Sequence, residues 1–151
     1  GQLWNTYIEN NDNIIQCIIN TNNIRFVDCS FDSSYVINND NKLLVFGQNG
    51  CGQLGINNPD IKTSSKVLTA LNGKKVKSIC CSYVYMGCIL LNDKVYMYGY
   101  NEMYQCGNNY NHYCIDGNKI ILNNNDKIIS IKCGGYHTIL KTDKNKYYSF
   151  G

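Results

Sequence analysis

Several things are scarce in this 151-residue chain. There is one arginine, Arg25, against 13 lysines, one proline, Pro59, one tryptophan, Trp4, and two histidines, His112 and His137. Net charge is only +3 and the basic residues are spread along the sequence, so the charge footprint of a nucleic-acid or membrane-surface binder is missing. Long apolar runs are missing too. The longest, Ile79 to Leu91, covers 13 residues and is interrupted by Ser82 and Gly87, whereas a membrane-spanning helix needs about 20. The start of the chain shows no secretory signal pattern. Nine cysteines are present, yet none form a C-x2-C pair, and with two histidines the spacing of a zinc site is absent. The 24 asparagines include no N-x-S/T sequon, which favours an intracellular compartment, nuclear or cytoplasmic, where thiols stay reduced. With 44% hydrophobic and 17% charged residues, the composition is that of a globular chain.

What the chain does have is internal repetition. The segment Val45-Phe46-Gly47-Gln48-Asn49-Gly50-Cys51-Gly52-Gln53-Leu54-Gly55 returns, shifted by 52, as Met97-Tyr98-Gly99-Tyr100-Asn101-Glu102-Met103-Tyr104-Gln105-Cys106-Gly107. Ser149-Phe150-Gly151 begins it a third time, and Cys29, Cys81 and Cys133, like Lys42, Lys94 and Lys146, keep the same interval. Each unit contains four short pieces rich in Val, Ile, Tyr and Phe and bounded by Asn, Asp and Gly, the pattern of strands and tight turns. In order, the first is Ile14 to Ile19, matched by Lys66 to Ala70 and Lys119 to Leu122. The second is Ile24 to Cys29, matched by Lys75 to Cys80 and Ile128 to Cys133. The third is Ser34 to Asn38, matched by Tyr85 to Leu91 and His137 to Thr142. The fourth is Lys42 to Phe46, matched by Lys94 to Tyr98 and Lys146 to Phe150.

Four antiparallel strands per unit of about 50 residues make a β-propeller blade. The expected fold is therefore all-β, with three blades over residues 5–55, 56–107 and 108–151. Gly47, Gly52, Gly55, Gly99, Gly107 and Gly151 are expected to let the chain leave one strand and cross to the next blade. Phe46, Tyr98 and Phe150 stand where an aromatic fills the space between blades. The recurring cysteines are read as small buried hydrophobes, with Cys51 and Cys114 as the thiols in loop-like positions.

The run Phe46-Gly47-Gln48-Asn49-Gly50-Cys51-Gly52-Gln53-Leu54-Gly55 resembles the signature of the RCC1 (regulator of chromosome condensation) repeat. Ile131-Lys132-Cys133-Gly134-Gly135-Tyr136-His137-Thr138-Ile139-Leu140 resembles its C-G-x-x-H-[ST] half. The second repeat departs from the pattern, with Tyr104 and Cys106 for a glycine and a leucine, and Ser82, Tyr85 and Met86 at the Gly-His-Ser positions. The resemblance implies a propeller of about seven blades. Gly1-Gln2-Leu3 reads as the tail of one motif and Gly151 as the start of another, so the chain is expected to be a segment of a longer propeller that packs against its remaining blades. The family's founding member is a guanine-nucleotide exchange factor for the small GTPase Ran and docks on chromatin; RCC1 repeats also occur in ubiquitin ligases, kinases and signalling scaffolds.

No catalytic chemistry is assigned. The glycine run lacks the G-K-[ST] ending of a phosphate loop, His137 has no nucleophile partner in the pattern and is read as structural, and the carboxylates are scattered. No cofactor, metal or nucleic acid is expected. The chain is read as a protein-interaction platform, since propellers present loops from a rigid disc. Tyr83, Tyr85 and Tyr136, at the turn after the cysteine-bearing strand, are the candidate partner contacts. The alternatives are nucleotide exchange on a Ran-type GTPase, and a regulatory or targeting module of a larger signalling or ubiquitin-ligase protein.

Overall fold

The computed structural model describes residues 23–151 except 57, 59, 62, 110 and 111, with the backbone alone for 63–67. The strand expected at Ile14 to Ile19 and the motif tail at Gly1-Gln2-Leu3 lie outside the described residues. Apart from one short 3-10 turn, Leu71–Gly73, the regular structure is strand. Sheet 1 takes β1 (Ile24–Cys29), β2 (Ser33–Asn38), β3 (Leu43–Gln48) and β4 (Thr63–Thr69) in that order. Sheet 2 takes β5 (Val76–Cys81), β6 (Tyr85–Leu90), β7 (Val95–Tyr100) and β8 (Tyr113–Ile120), and sheet 3 takes β9 (Ile128–Cys133), β10 (Thr138–Thr142) and β11 (Tyr147–Phe150). All neighbours pair antiparallel. The sheets stand side by side, with β1 approaching β5 and β5 approaching β9, as the inner strands of neighbouring propeller blades do.

The 52-residue interval reappears as identical local geometry. Asn41, Asp93 and Asn145 turn the second strand into the third with φ of 64°, 60° and 59°, a conformation that Asn and Asp tolerate best among residues with a Cβ. Residues 25, 77 and 129 are each skipped where the first strand pairs with the second, so one irregularity recurs at one repeat position. Gly47, Gly99 and Gly151 have φ of 105°, 110° and 122°. A Cβ on them would lie 2.4, 2.5 and 2.2 Å from the carbonyl oxygens of Asp32, Val84 and Tyr136. Only glycine satisfies both constraints there.

Repeat and sheet share a period and differ in phase. The strand that opens the unit 56–107 is β4, and it pairs with β3 of the preceding unit, through Leu44↔Thr69 and Gln48↔Thr63. Likewise β8 closes sheet 2 through Val95↔Ile120 and Tyr100↔Tyr113. The borders drawn after 55 and 107 therefore fall inside sheets. The third strands of sheets 1 and 2 would each present a free edge, and the chain emerging from the glycine loop satisfies it by folding straight back along it. These closing strands also begin earlier than the apolar pattern marks, at Thr63 and Tyr113.

The core lies between the sheets. Tyr35, Ile37, Leu43, Met86 and Cys88 share one cluster, and Tyr85, Ile89, Val95, Ile131 and Leu140 share the next. Because β6 is covered on both faces, all six of its residues are buried. Gly87 makes room within it: a Cβ would come 2.4 Å from Ile131 Cδ1 of the following sheet. Two of the aromatics before a first glycine fill the gap anticipated for them, with Tyr98 beside Gly55 and Phe150 beside Gly107.

Candidate functional site

The strand directions give the array two ends. The first-to-second strand turns and the long glycine loops lie at one, the loop face. The second-to-third strand turns and the inter-sheet links lie at the other, the turn face. On the loop face each sheet contributes an aromatic at its first turn: Phe31, Tyr83 and Tyr136, exposed by 63%, 47% and 52%. Phe31 and Tyr83 have ring centroids 4.5 Å apart, and Tyr83 and Tyr136 are 6.4 Å apart. The row continues through Tyr100, 6.5 Å from Tyr136 in an edge arrangement, to Tyr113, 6.1 Å further on. The rings pack on one another and still face solvent, a combination that gives a surface large apolar contact area at little entropic cost.

A polar layer fixes the row from beneath. The Tyr85 hydroxyl lies 2.6 Å from the carbonyl oxygen of His137 and 2.9 Å from that of Gly134, sharing its hydrogen between them. Ser82 Oγ also donates to Gly134 O. Asp28 Oδ2 accepts the Cys81 N–H of the next sheet at 3.1 Å, and the Phe31 N–H reaches Tyr83 O at 3.4 Å. At the far end of the row the Tyr100 hydroxyl donates to Glu102 Oε2 at 2.6 Å, and His112 Nδ1 is 2.9 Å from Glu102 Oε1. Hydrogen bonding to that carboxylate, then desolvation, pushes the Tyr100 phenol up to about 12. The same Tyr100 bond, followed by the field of His112, holds Glu102 below the ordinary range.

The glycine loops are braced by their motif amides. Asn49 Nδ2 donates to Ile61 O and its Oδ1 accepts the Leu54 N–H, while Gln53 Oε1 accepts the Cys51 N–H. Asn101 and Gln105 repeat this, with Asn101 Oδ1 taking the Cys106 N–H and Gln105 Oε1 the Met103 N–H. Gly52, at φ 81°, is replaced in the second loop by Tyr104 at φ 60°. The loop backbone is thus kept while a bulky exposed side chain is added to the loop face.

Of the three tyrosines singled out from the sequence, Tyr83 and Tyr136 stand in the row. Tyr85 does not: it is fully buried between sheets 2 and 3 and is unavailable to a partner. Ser33 and His137 hold its repeat position in the other sheets, and the larger side chain is drawn inward by the two carbonyls of sheet 3. The sequence pattern does not mark Tyr100 and Tyr113 as members of the row, whereas Phe31 keeps the 52-residue interval to Tyr83 that could have found it. His137 lies just before β10, exposed, its ring over Gly134. Cys29 is exposed rather than core, whereas Cys133 reaches sheet 2 through its N–H to Cys80 Sγ at 2.6 Å. Cys114 sits buried on β8, not in a loop, and Cys51 is half-buried. Among the described residues no three or more His, Cys, Asp or Glu are placed to hold a metal ion, and no helix is long and apolar enough to cross a membrane.

Comparison with known proteins follows the same lines. Two family models described as Regulator of chromosome condensation (RCC1) repeat match residues 24–53 and 92–140, together just over half of the chain. The chain is 26% identical over 119 residues to the probable E3 ubiquitin-protein ligase HERC4 of Homo sapiens, covering 78% of this chain and 11% of that protein. The crystal structure of human WBSCR16 superposes on 97% of the chain with a TM-score of 0.79 at 14% identity, over 38% of its own length. Yeast RCC1 (Prp20), solved bound to Kap60 and described elsewhere with its binding to Gsp1p and histones, superposes on 84% of the chain with a TM-score of 0.69 at 19% identity, over about a third of its own length. The chain thus spans only a small part of the proteins it matches. Three sheets of one period, the braced glycine loops and both repeat matches lead to one conclusion: the chain belongs to the RCC1-repeat family and forms blades of its β-propeller.

Proposed function

We propose that this segment is a protein-interaction platform whose contact surface is the loop face. The observation that carries the reading is the continuous row of half-exposed aromatics, Phe31, Tyr83, Tyr136, Tyr100 and Tyr113, with members from all three sheets. Tyrosines of this kind, rigid on one side and wet on the other, dominate binding energy at protein interfaces. A photo-crosslinking phenylalanine analogue at position 83 or 136 of the full-length protein tests it. Trapping of one discrete protein species, lost on Phe31→Ala, is expected; no adduct from either position rejects the platform reading.

Exchange on a Ran-type small GTPase is the finer reading, supported by membership of the family. It needs no cofactor, because exchange factors act by prising open the nucleotide site. The assay is release of a fluorescent nucleotide from Ran in the presence of the full-length protein. Unchanged release removes this partner without touching the docking surface.

A further reading is that more blades follow within a longer protein. Ile139 and Tyr147 are 42% and 65% exposed, whereas Tyr35 and Leu43 of sheet 1 and Val95 of sheet 2, at the same repeat positions, are buried by the sheet that follows them. A neighbouring blade on sheet 3 would restore that pattern. Amide-exchange protection of residues 138–142 in the full-length protein, stronger than in the 151-residue segment, is the expected result.

A further inference from the structure

The turn face carries a different chemistry. In sheet 3 the link before β9 presents Asp126, whose side chain is completely enclosed. Its carboxylate lies 2.7 Å from Lys144 Nζ and 3.0 Å from Lys146 Nζ, and Oδ2 accepts a hydrogen bond from Asn124 at 2.8 Å. Tyr148 closes the cluster through its hydroxyl, 2.7 Å from Asn124 Nδ2. Between sheets 2 and 3, Asp93 similarly joins Lys77 and Lys127. On this part of the face every one of these lysines faces a carboxylate of the protein itself.

The corresponding place in sheet 2 differs in two charges: Asn92 stands where sheet 3 has Lys144, and a lysine stands where it has Asp126. Lys74 stands at the position of Asp126, Lys94 at that of Lys146, Lys75 at that of Lys127 and Tyr96 at that of Tyr148, each 52 residues earlier. The backbone equivalence is close. Gly73 N–H bonds to Ala70 O as Asn125 N–H does to Leu122 O, and Leu91 N–H bonds to Lys75 O as Asp143 N–H does to Lys127 O. Lys74, Lys75, Lys94, Leu91, Asn92 and Tyr96 line a cavity of about 280 Å³ that has no carboxylate in its wall. Lys74 Nζ lies 5.2 Å from the centre of the Tyr96 ring. Among the described residues no carboxylate is within ion-pairing distance of Lys74, Lys75 or Lys94.

Sheet 3 therefore neutralises its lysines within the fold, whereas sheet 2 gathers three lysines around a cavity with no counter-charge. We infer that the sheet 2 cavity binds a glutamate or aspartate side chain of an acidic segment in a partner protein, which supplies the counter-charge that the Asp126 carboxylate supplies in sheet 3. The internal counterpart is a carboxylate on a peptide chain, and Leu91, half exposed at the rim, with Tyr96 offers an apolar seat for a residue beside the acid. This surface lies at the opposite end of the sheets from the aromatic row, so its occupancy is independent of the loop-face reading.

The test uses the full-length protein and a fluorescein-labelled peptide of four glutamates around a central leucine, with a glutamine version as control. Binding of the glutamate peptide alone, weakening as salt rises, is the expected result. Lys74→Asp supplies the carboxylate that sheet 3 already tolerates, and should weaken binding at least tenfold. Lys94→Gln should also weaken it, and Lys132→Ala, at the loop-face end of β9, should leave it within twofold. Circular dichroism melts show that each variant is folded. No binding of the glutamate peptide overturns the inference, as does equal binding by Lys74→Asp, or tighter binding of duplex DNA or of phosphatidylserine vesicles through the same lysines.

Discussion

The two faces of the sheet array are made from one 52-residue register, yet they are held together differently. On the loop face the inter-sheet bonds run to backbone: Tyr85 and Ser82 reach carbonyls of the next sheet, and Asp28 takes the Cys81 N–H. Side chains left over from that work are aromatic and remain half exposed. On the turn face backbone and ionic bonds stand together: Arg25 Nη2 donates to the carbonyls of Val76 and Lys77, the Val76 N–H bonds to Asn41 O, and Asp93 and Asp126 pair with four lysines. Backbone-directed bonds pin the sheets rigidly and insensitively to salt. Ion pairs with half-exposed lysines contribute little and fade as salt rises. The loop face thus joins the blades as well as offering the candidate docking surface, and the turn face adds to its backbone bonds a set of ion pairs that salt weakens.

The contrast breaks most sharply at Gly99. Gly99→Val puts a Cβ into the Val84 carbonyl at positive φ, and should destabilise the protein by about 3 kcal/mol or more; urea melts that coincide with wild type would remove the equivalence of the three sheets. Next in size is Tyr85→Phe, which removes a buried inter-sheet donor while Gly134 O keeps Ser82 Oγ and His137 O keeps the Gly134 N–H, and should cost about 1.5 kcal/mol, read in the same melts. A smaller effect of opposite sign is expected for Tyr104→Gly, which relaxes a left-handed residue and should stabilise by roughly 1 kcal/mol. On the turn face the sensitivity is to acid. Asp126 is held below its ordinary value by hydrogen bonding to Lys144 and then Lys146. Its contribution is therefore complete above the unfolded value of about 3.9 and disappears as pH falls through the lower folded value. A Tm series below pH 5 should show this loss, and Asp126→Asn should abolish that part of it. Least of all, Tyr83→Ala with Tyr136→Ala should shift stability by no more than about 0.5 kcal/mol per site while removing crosslinking; a large loss of stability would make the row structural.

Much of this was legible in the sequence because backbone geometry demands particular residues. The glycines before the long loops, and the Asn or Asp at each tight turn, have few substitutes, so their interval displays the blade. What the interval cannot display is which edge a strand pairs with, and so β4 and β8 belong one sheet earlier than their place in the repeat. Nor does a tyrosine announce whether it faces water. Tyr83 and Tyr85 are two residues apart, and only the carbonyls of Gly134 and His137 in the neighbouring sheet decide that Tyr85 turns inward. Nor does the dispersal of lysines along the chain display their grouping, since it is strands running alternately up and down that bring residues 42, 94 and 146 to one end.

The offset between repeat and sheet has a practical consequence. A boundary placed after Gly55 or Gly107 strips the outermost strand from the preceding blade and exposes a raw hydrogen-bonding edge, whereas one placed at the turns around Gly73 or Asn125 keeps each sheet whole. By the same logic a duplicated unit inserted into such a chain arrives already stitched to its neighbour, since its opening strand completes the blade before it.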